Sequence, residues 1–131
     1  MKKLLLVLLF VPILSFGQSA EEFFIRGNSK NELKDHKGAI ADFTKAIELN
    51  PDYAYAYYNR GYVKCNLEDY KGAIADFTKA IELNPDFALA YVNRGISKEN
   101  LNDLNGACAD WRKAASLGDA AAKYNVRDKC N

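Results

Sequence analysis

From Asp35 onward the apolar residues recur at steps of three and four. Ala39, Ile40, Phe43, Ala46, Ile47 and Leu49 form one broad stripe, the pattern of a helix that buries a single face. Asp35 stands where an N-cap would open that helix, because its carboxylate can accept the unpaired amide hydrogens of the first turn. Asn50 tolerates the left-handed backbone that ends many helices, and Pro51 cannot continue one. Upstream, Ala20, Phe23, Phe24, Gly27 and Leu33 give a looser stripe and predict a first helix from Ser19 to Leu33. The two helices are called A and B below.

The B-helix stretch then recurs. Lys37 to Asp52, KGAIADFTKAIELNPD, returns unchanged as Lys71 to Asp86, 34 positions further along. A fixed offset of that size implies stacked units of one architecture. Another 34 positions lead to Asn105 to Ala120, where seven of the sixteen residues persist, among them Gly106, Ala107, Asp110 and Ala114. Asp69 and Asp103 repeat the N-cap, and Asn84 and Pro85 repeat the stop. In the third copy Gly118 takes the terminal position and Asp119 replaces proline, which predicts a turn and a last amphipathic helix from Ala120 to Lys129. Neither helix of a pair can bury its face alone, so the pairs must stack.

Composition changes this picture in three ways. Lys2 and Lys3 precede an unbroken apolar run from Leu4 to Leu14, followed by small residues, Ser15 and Gly17, at the -3 and -1 positions of a cut before Gln18. Residues 1–17 therefore read as a secretory signal peptide, and the run is short of the roughly 20 residues of a membrane span. The expected product is exported, periplasmic or secreted, and not membrane-spanning once processed. Without Lys2 and Lys3, 16 of the 18 Lys and Arg stand against 17 acids, a balance that disfavours nucleic acid as a partner. Three cysteines, Cys65, Cys108 and Cys130, in an exported chain of 131 residues permit one disulfide and leave one thiol.

The repeated residues resemble the tetratricopeptide repeat family. Its 34-residue pattern places an aromatic at position 4, glycine at 8, alanine at 20, an aromatic at 24, alanine at 27 and proline at 32. With position 1 at Ala20, Ala54 and Ala88, these slots hold Phe23, Gly27, Ala39, Phe43, Ala46 and Pro51 in the first unit and their equivalents in the next two. Seventeen of eighteen slots are filled; Asp119 in place of the last proline is the exception. The resemblance implies an all-α, right-handed α-solenoid of three helix-turn-helix repeats, 20–53, 54–87 and 88–121, with a capping helix over 120–130. It also implies that each position-8 glycine lets helix A approach helix B, so that Gly27 meets Ala39, Gly61 meets Ala73 and Gly95 meets Ala107.

Arg26, Arg60 and Arg94 occupy a slot where the family usually has leucine, and Lys30, Lys64 and Lys98 one where it usually has tyrosine. They form either a basic ligand-binding ladder or ion pairs with Asp42, Asp76 and Asp110, which recur in step on the B helices. Recurrent charges usually settle locally, which favours pairing. Family members line an inner groove with A-helix side chains, and here the resemblance points to Phe24, Asn28, Tyr55, Tyr58, Asn59, Tyr62, Asn93 and Ile96 as a peptide-binding groove. Tyr55, Tyr58, Tyr62 and Cys65 share one helical face, distinct from the face of Tyr57 and Leu67 that serves the core. Spare aromatic surface suits a binding site, and packing against neighbouring A helices is the alternative. One subclass of the family grips a C-terminal carboxylate with basic residues and two asparagines. Asn28 and Asn59 match the asparagines, but Phe24, Leu89 and Asn93 fill the basic places, so chaperone-tail recognition is not expected.

Cys108 sits where the other copies have Ile40 and Ile74 and should face the terminal helix. If that helix folds back about Gly118, Cys130 lands beside Cys108, and a disulfide would contribute on the order of 3 kcal/mol by closing the intervening loop. The alternative is two reduced thiols. His36, the one histidine, begins a B helix and is expected to face solvent, with no nucleophile or carboxylate cluster near it in the pattern. No zinc spacing, phosphate loop or nucleotide motif occurs, so no enzyme activity and no cofactor or metal are expected. The expected function is a non-catalytic scaffold that binds a peptide segment of a protein partner in the groove. The alternative is a cell-envelope assembly in which solenoids stack end to end through Phe23, Phe24 or Ile25, giving a homo-oligomer.

Overall fold

The computed structural model describes residues 18–131. The signal peptide read over residues 1–17 lies outside the described residues. Seven helices follow in order among the described residues: α1 (Ala20–Glu32), α2 (His36–Leu49), α3 (Ala54–Asn66), α4 (Tyr70–Leu83), α5 (Ala88–Asn100), α6 (Leu104–Ser116) and α7 (Ala120–Lys129). They pair as α1 with α2, α3 with α4 and α5 with α6, and each pair packs on the next through α2 on α3 and α4 on α5. The A helices α1, α3 and α5 also touch in series, which lays one continuous layer against the layer of B helices. None of the described helices is long and apolar enough to cross a membrane.

The B helices start where the sequence places them. The carboxylates of Asp35, Asp69 and Asp103 accept the amides of Gly38, Gly72 and Gly106 at 3.0, 3.0 and 2.9 Å. A side chain at any of these glycines would run into the capping carboxylate, so the cap and the glycine belong together. The helix ends differ from the expectation. Asn50 and Asn84 are extended, with φ of −139° and −140°, and their side-chain oxygens accept the amides of Asp52 and Asp86. The left-handed residues are instead Lys34, Glu68 and Asn102, in the turn between helices A and B. There the amide of Asp35 reaches back to the carbonyl of Lys30 and that of Lys34 to Asn31, closing the helix end twice over, and Gly118 plays the same part before α7. Lysine and glutamate bear a strained conformation at two of these turns, which is why no glycine marks them in the sequence.

The largest fully buried side chains include Phe43, Phe77 and Trp111, one per repeat. Each is what the position-8 glycine admits. A Cβ on Gly27 would stand 2.7 Å from the Phe43 ring, and one on Gly95 would stand 2.5 Å from Trp111 Nε1. The atoms that a Cβ at these glycines would meet first are ring atoms, so the glycines make room for the aromatic of helix B. Trp111 Nε1 donates to the carbonyl of Val92 at 3.2 Å, so the indole is satisfied although buried. Three leucines expected on buried stripes, Leu33, Leu49 and Leu67, are exposed. All three stand at helix ends, Leu33 and Leu67 as C-caps and Leu49 as the last residue of α2.

Between each pair of helices sits a buried carboxylate. Asp76 Oδ1 and Oδ2 accept the Arg60 guanidinium at 2.7 and 2.9 Å, and Lys64 Nζ lies 2.9 Å from Oδ2. Asp42 and Asp110 bind Arg26 with Lys30 and Arg94 with Lys98 in the same way. Pairing therefore accounts for these cations. The arginines also tie one repeat to the previous one: Arg60 Nη1 donates to Thr44 Oγ1 at 3.1 Å and Arg94 Nη1 to Thr78 Oγ1 at 3.2 Å. Arg26 Nη1 donates to Gln18 Oε1 instead, at 3.2 Å.

The chain turns at Gly118, and α7 lies back on α6. Ala122 is buried, and Val126 and Cys130 pack on the cluster of Ala107, Cys108 and Trp111. Cys108 and Cys130 are joined as a disulfide. Lys129 bonds both carboxylate oxygens of Glu99 at 2.9 Å and lies over the Trp111 ring, while Arg112 Nη2 donates to the carbonyl of Cys130.

Three outcomes are expected from this packing. Gly95→Leu forces the Trp111 ring from its seat and costs about 3 kcal/mol, which lowers Tm by roughly 10 °C or more; a Tm near that of the parent chain would contradict the close approach. In a double-mutant cycle on Arg60 and Asp76, chemical denaturation should return a coupling of about 1–3 kcal/mol, since a bidentate pair with little solvent access is removed. The Arg26 guanidinium, opposed by burial and aided by Lys30, holds the Asp42 carboxyl below the usual aspartate range. Its stabilising effect is thus complete above the unfolded value of about 3.9 and is lost as pH falls through the folded value. Asp42→Asn should be the less stable chain at neutral pH, with the gap closing in acid; a gap that stays constant through acid unfolding would show that the carboxylate contributes nothing.

Candidate functional site

The A helices leave a different set of side chains on their open face. Asn59 Nδ2 on α3 donates to Asn28 Oδ1 on α1 at 2.7 Å, and Asn93 Nδ2 on α5 donates to the Tyr58 hydroxyl at 2.8 Å. These two bonds lie 31 and 35 residues apart in sequence and cross-link successive A helices. Around the first of them is a cavity of about 270 Å³, lined by Asn28, Asn31, Tyr58, Asn59 and Tyr62. No charged side chain lines it.

Of the eight groove residues read from the sequence, this cavity gathers Asn28, Tyr58, Asn59 and Tyr62. Asn31 was not among them. It lies one turn beyond Asn28 on α1, and its side-chain oxygen meets His36 Nδ1 at 3.2 Å, which leaves the histidine half-buried and not free in solvent as expected. The helical offset from Asn28 was the signal that could have identified Asn31. Tyr55, Ile96 and the neighbouring Leu89 lie on the same layer outside the cavity and are exposed, Tyr55 to 58% and Tyr62 to 45%. Phe24 is half-buried, stacked on Tyr53 with ring centroids 4.9 Å apart and tilted against Phe43. Phe23 lies under the Arg26 guanidinium, so of the three residues read as an exposed end only Ile25 is open to solvent.

The tyrosines divide by task. Tyr58 is half-buried, its ring tilted against Phe77 and Phe87 and its hydroxyl engaged by Asn93. Burial is the main reason that its phenol is pushed above the ordinary value. Tyr55 meets Phe87 edge-on, and Tyr62 presents its ring to solvent at the cavity. Tyr58 thus shapes the floor, while Tyr62 has surface to offer.

Cys65 completes this face. Its sulfur lies 3.1 Å from Ser97 Oγ, whose proton goes to the carbonyl of Asn93, so the thiol is the donor to the serine. Burial, with Asp69 adding to it, pushes the Cys65 thiol up, and it is held protonated. That is the chemistry of a packing thiol and not of a nucleophile. Among the described residues, no cluster of His, Cys, Asp and Glu could hold a metal ion.

A family model described as tetratricopeptide repeat matches residues 54–87, and a second, described as TPR repeat, matches residues 27–67. No curated protein matches the sequence. Among solved structures, the Arabidopsis OM64 TPR domain is 31% identical over 83% of this chain and 92% of that one, with a TM-score of 0.80. The first TPR of Spaghetti (RPAP3), solved bound to the HSP90 peptide SRMEEVD, is 25% identical over 84% of this chain and 89% of its own, with the same TM-score. A crystal structure of MamA is 32% identical over 81% of this chain with a TM-score of 0.75, and this chain spans 62% of it. With helix pairs in series, a glycine seating each buried ring and these likenesses along most of its length, the chain belongs to the tetratricopeptide repeat family.

Proposed function

We propose that this chain is a non-catalytic interaction module that takes a peptide segment of a partner protein on the face of α1, α3 and α5. The carrying observation is the uncharged cavity of Asn28, Asn31, Asn59 and Tyr62, flanked by the exposed rings and side chains of Tyr55, Leu89 and Ile96. Carboxamides offer a donor and an acceptor each, which suits the N–H and C=O groups of a peptide backbone. Exposed tyrosine and aliphatic surface beside them suits apolar side chains. The peptide seen on the first TPR of Spaghetti (RPAP3) supports the same use of the fold here. Its acidic sequence is a poor guide to the ligand, because Phe24, Leu89 and Asn93 supply no positive charge. Export is part of this reading and is supported by the apolar N-terminal sequence and by the Cys108–Cys130 disulfide, a bond that persists in oxidising compartments.

Selection of a random peptide library on the purified chain, followed by amide-shift mapping of the enriched sequences, tests this. The expected shifts centre on Asn28, Asn59 and Tyr62, and the double variant Asn59→Ala, Tyr62→Ala should weaken binding by about tenfold or more, or 1.4 kcal/mol. Shifts confined to α2, α4 and α6 would place the binding surface on the wrong layer and end the proposal.

A further inference from the structure

We propose that the segment taken up by this face carries arginine or lysine where it crosses α1 and apolar side chains where it crosses α3 and α5. This rests on the groove reading and adds the chemistry of the partner. On α1, Glu21, Asn28 and Glu32 follow one another at steps of seven and four, so both carboxylates share the face of the cavity asparagine. At 1.5 Å per residue they bracket Asn28 about 16 Å apart along the helix. Both are exposed, and neither has a cation within ion-pair distance among the described residues. The cations on α1 are not free to neutralise them, because Arg26 and Lys30 are both committed to Asp42 on the opposite side.

The stability of α1 does not explain Glu32. It lies in the last helical turn, where the unpaired carbonyls make a carboxylate unfavourable. The equivalent positions of α3 and α5 hold the neutral Asn66 and Asn100. The far end of the layer is treated in the opposite way. Glu99 on α5 has its charge met by Lys129 from α7, through two bonds of 2.9 Å. Negative charge is therefore left open at α1 and closed off at α5, while the exposed apolar side chains Tyr55, Tyr62, Leu89 and Ile96 lie on α3 and α5 against Ile25 alone on α1. A face that is acidic at one end and apolar along the rest fits a segment that is cationic at one end and apolar along the rest.

Three short fluorescent peptides, blocked at both ends so that no terminal charge contributes, supply the test by anisotropy. All share an apolar half of valine and leucine, and the other half carries arginine, glutamine or glutamate. The arginine probe should bind about tenfold more tightly than the glutamine probe, with the glutamate probe weakest, and added salt should narrow the spread. Glu21→Lys with Glu32→Lys, two exposed changes that leave the core untouched, should reverse the order. An order unchanged by that double variant, or a glutamate probe that binds best to the parent chain, overturns the inference. If arginine and glutamine probes bind equally and Tyr62→Ala weakens both, the groove reading stands and this one fails. If none of the three binds while library-selected peptides still map to Asn28 and Asn59, the inference alone falls; if those fail as well, both fall.

Discussion

A carboxylate buried between two helices is unfavourable unless its charge is met, and in each repeat here it is met twice. The aspartate on helix B accepts a guanidinium in a two-point grip and an ammonium on one of the same oxygens, so its acceptor sites are occupied with little water present. The grip is directional, and it fixes how far helix A can slide along helix B. It also places the next side chain: Asp42, Asp76 and Asp110 are each followed by the aromatic that fills the space over the facing glycine. A Cβ at Gly61 would meet both Asp76 Cβ and the Phe77 ring. Electrostatic register and ring packing are thus one arrangement, and the threonine bonds of Arg60 and Arg94 to the preceding B helix carry that register from repeat to repeat. Among the described residues no helix precedes α1, and there the arginine is more open: Arg26 is 43% exposed against 18% for Arg60.

Much of the fold can be read along the chain because the repeat states each constraint three times. A single Asp-x-x-Gly is a weak cap signal, but three in step, each before the same apolar stripe, leave little freedom. The turns were harder to read. Left-handed backbone is marked in a sequence by glycine or asparagine, and here lysine and glutamate hold it because the helix-end bonds around them outweigh the local strain. The asparagines that looked like left-handed stops are extended and use their side chains to bond the following turn. Leu33, Leu49 and Leu67 misled for another reason: periodicity counts a residue at the end of a stripe like one in the middle, while packing reaches only as far as the partner helix does.

The open face was legible in outline only. Its residues lie on A helices, which differ from one repeat to the next, so no copy could confirm another. The pattern proposed a set of side chains for this face, but not that Phe24 would stack on Tyr53, that Asn93 would spend its amide on Tyr58 or that Asn31 would join the cavity. The contrast follows from what each layer must do. Side chains between the layers answer to the same neighbours in every repeat and keep their identity, whereas those on the open face of the A helices meet no such repeated neighbour and vary.

The threonine bond between repeats also bears on how such an array can lengthen. Thr44 and Thr78 receive the arginine of the following repeat, but the corresponding residue of the third is Arg112, which is turned to the carbonyl of Cys130. On α1, Glu22 takes the place of the fully buried Ala56 and Ala90. A further unit copied from the middle and inserted beside its parent would find alanine and threonine waiting at both joints. The same unit appended after Ser116 would bring one guanidinium against another. Internal duplication therefore keeps the arginine–threonine bond at every joint, whereas a unit joined after Ser116 would lose it.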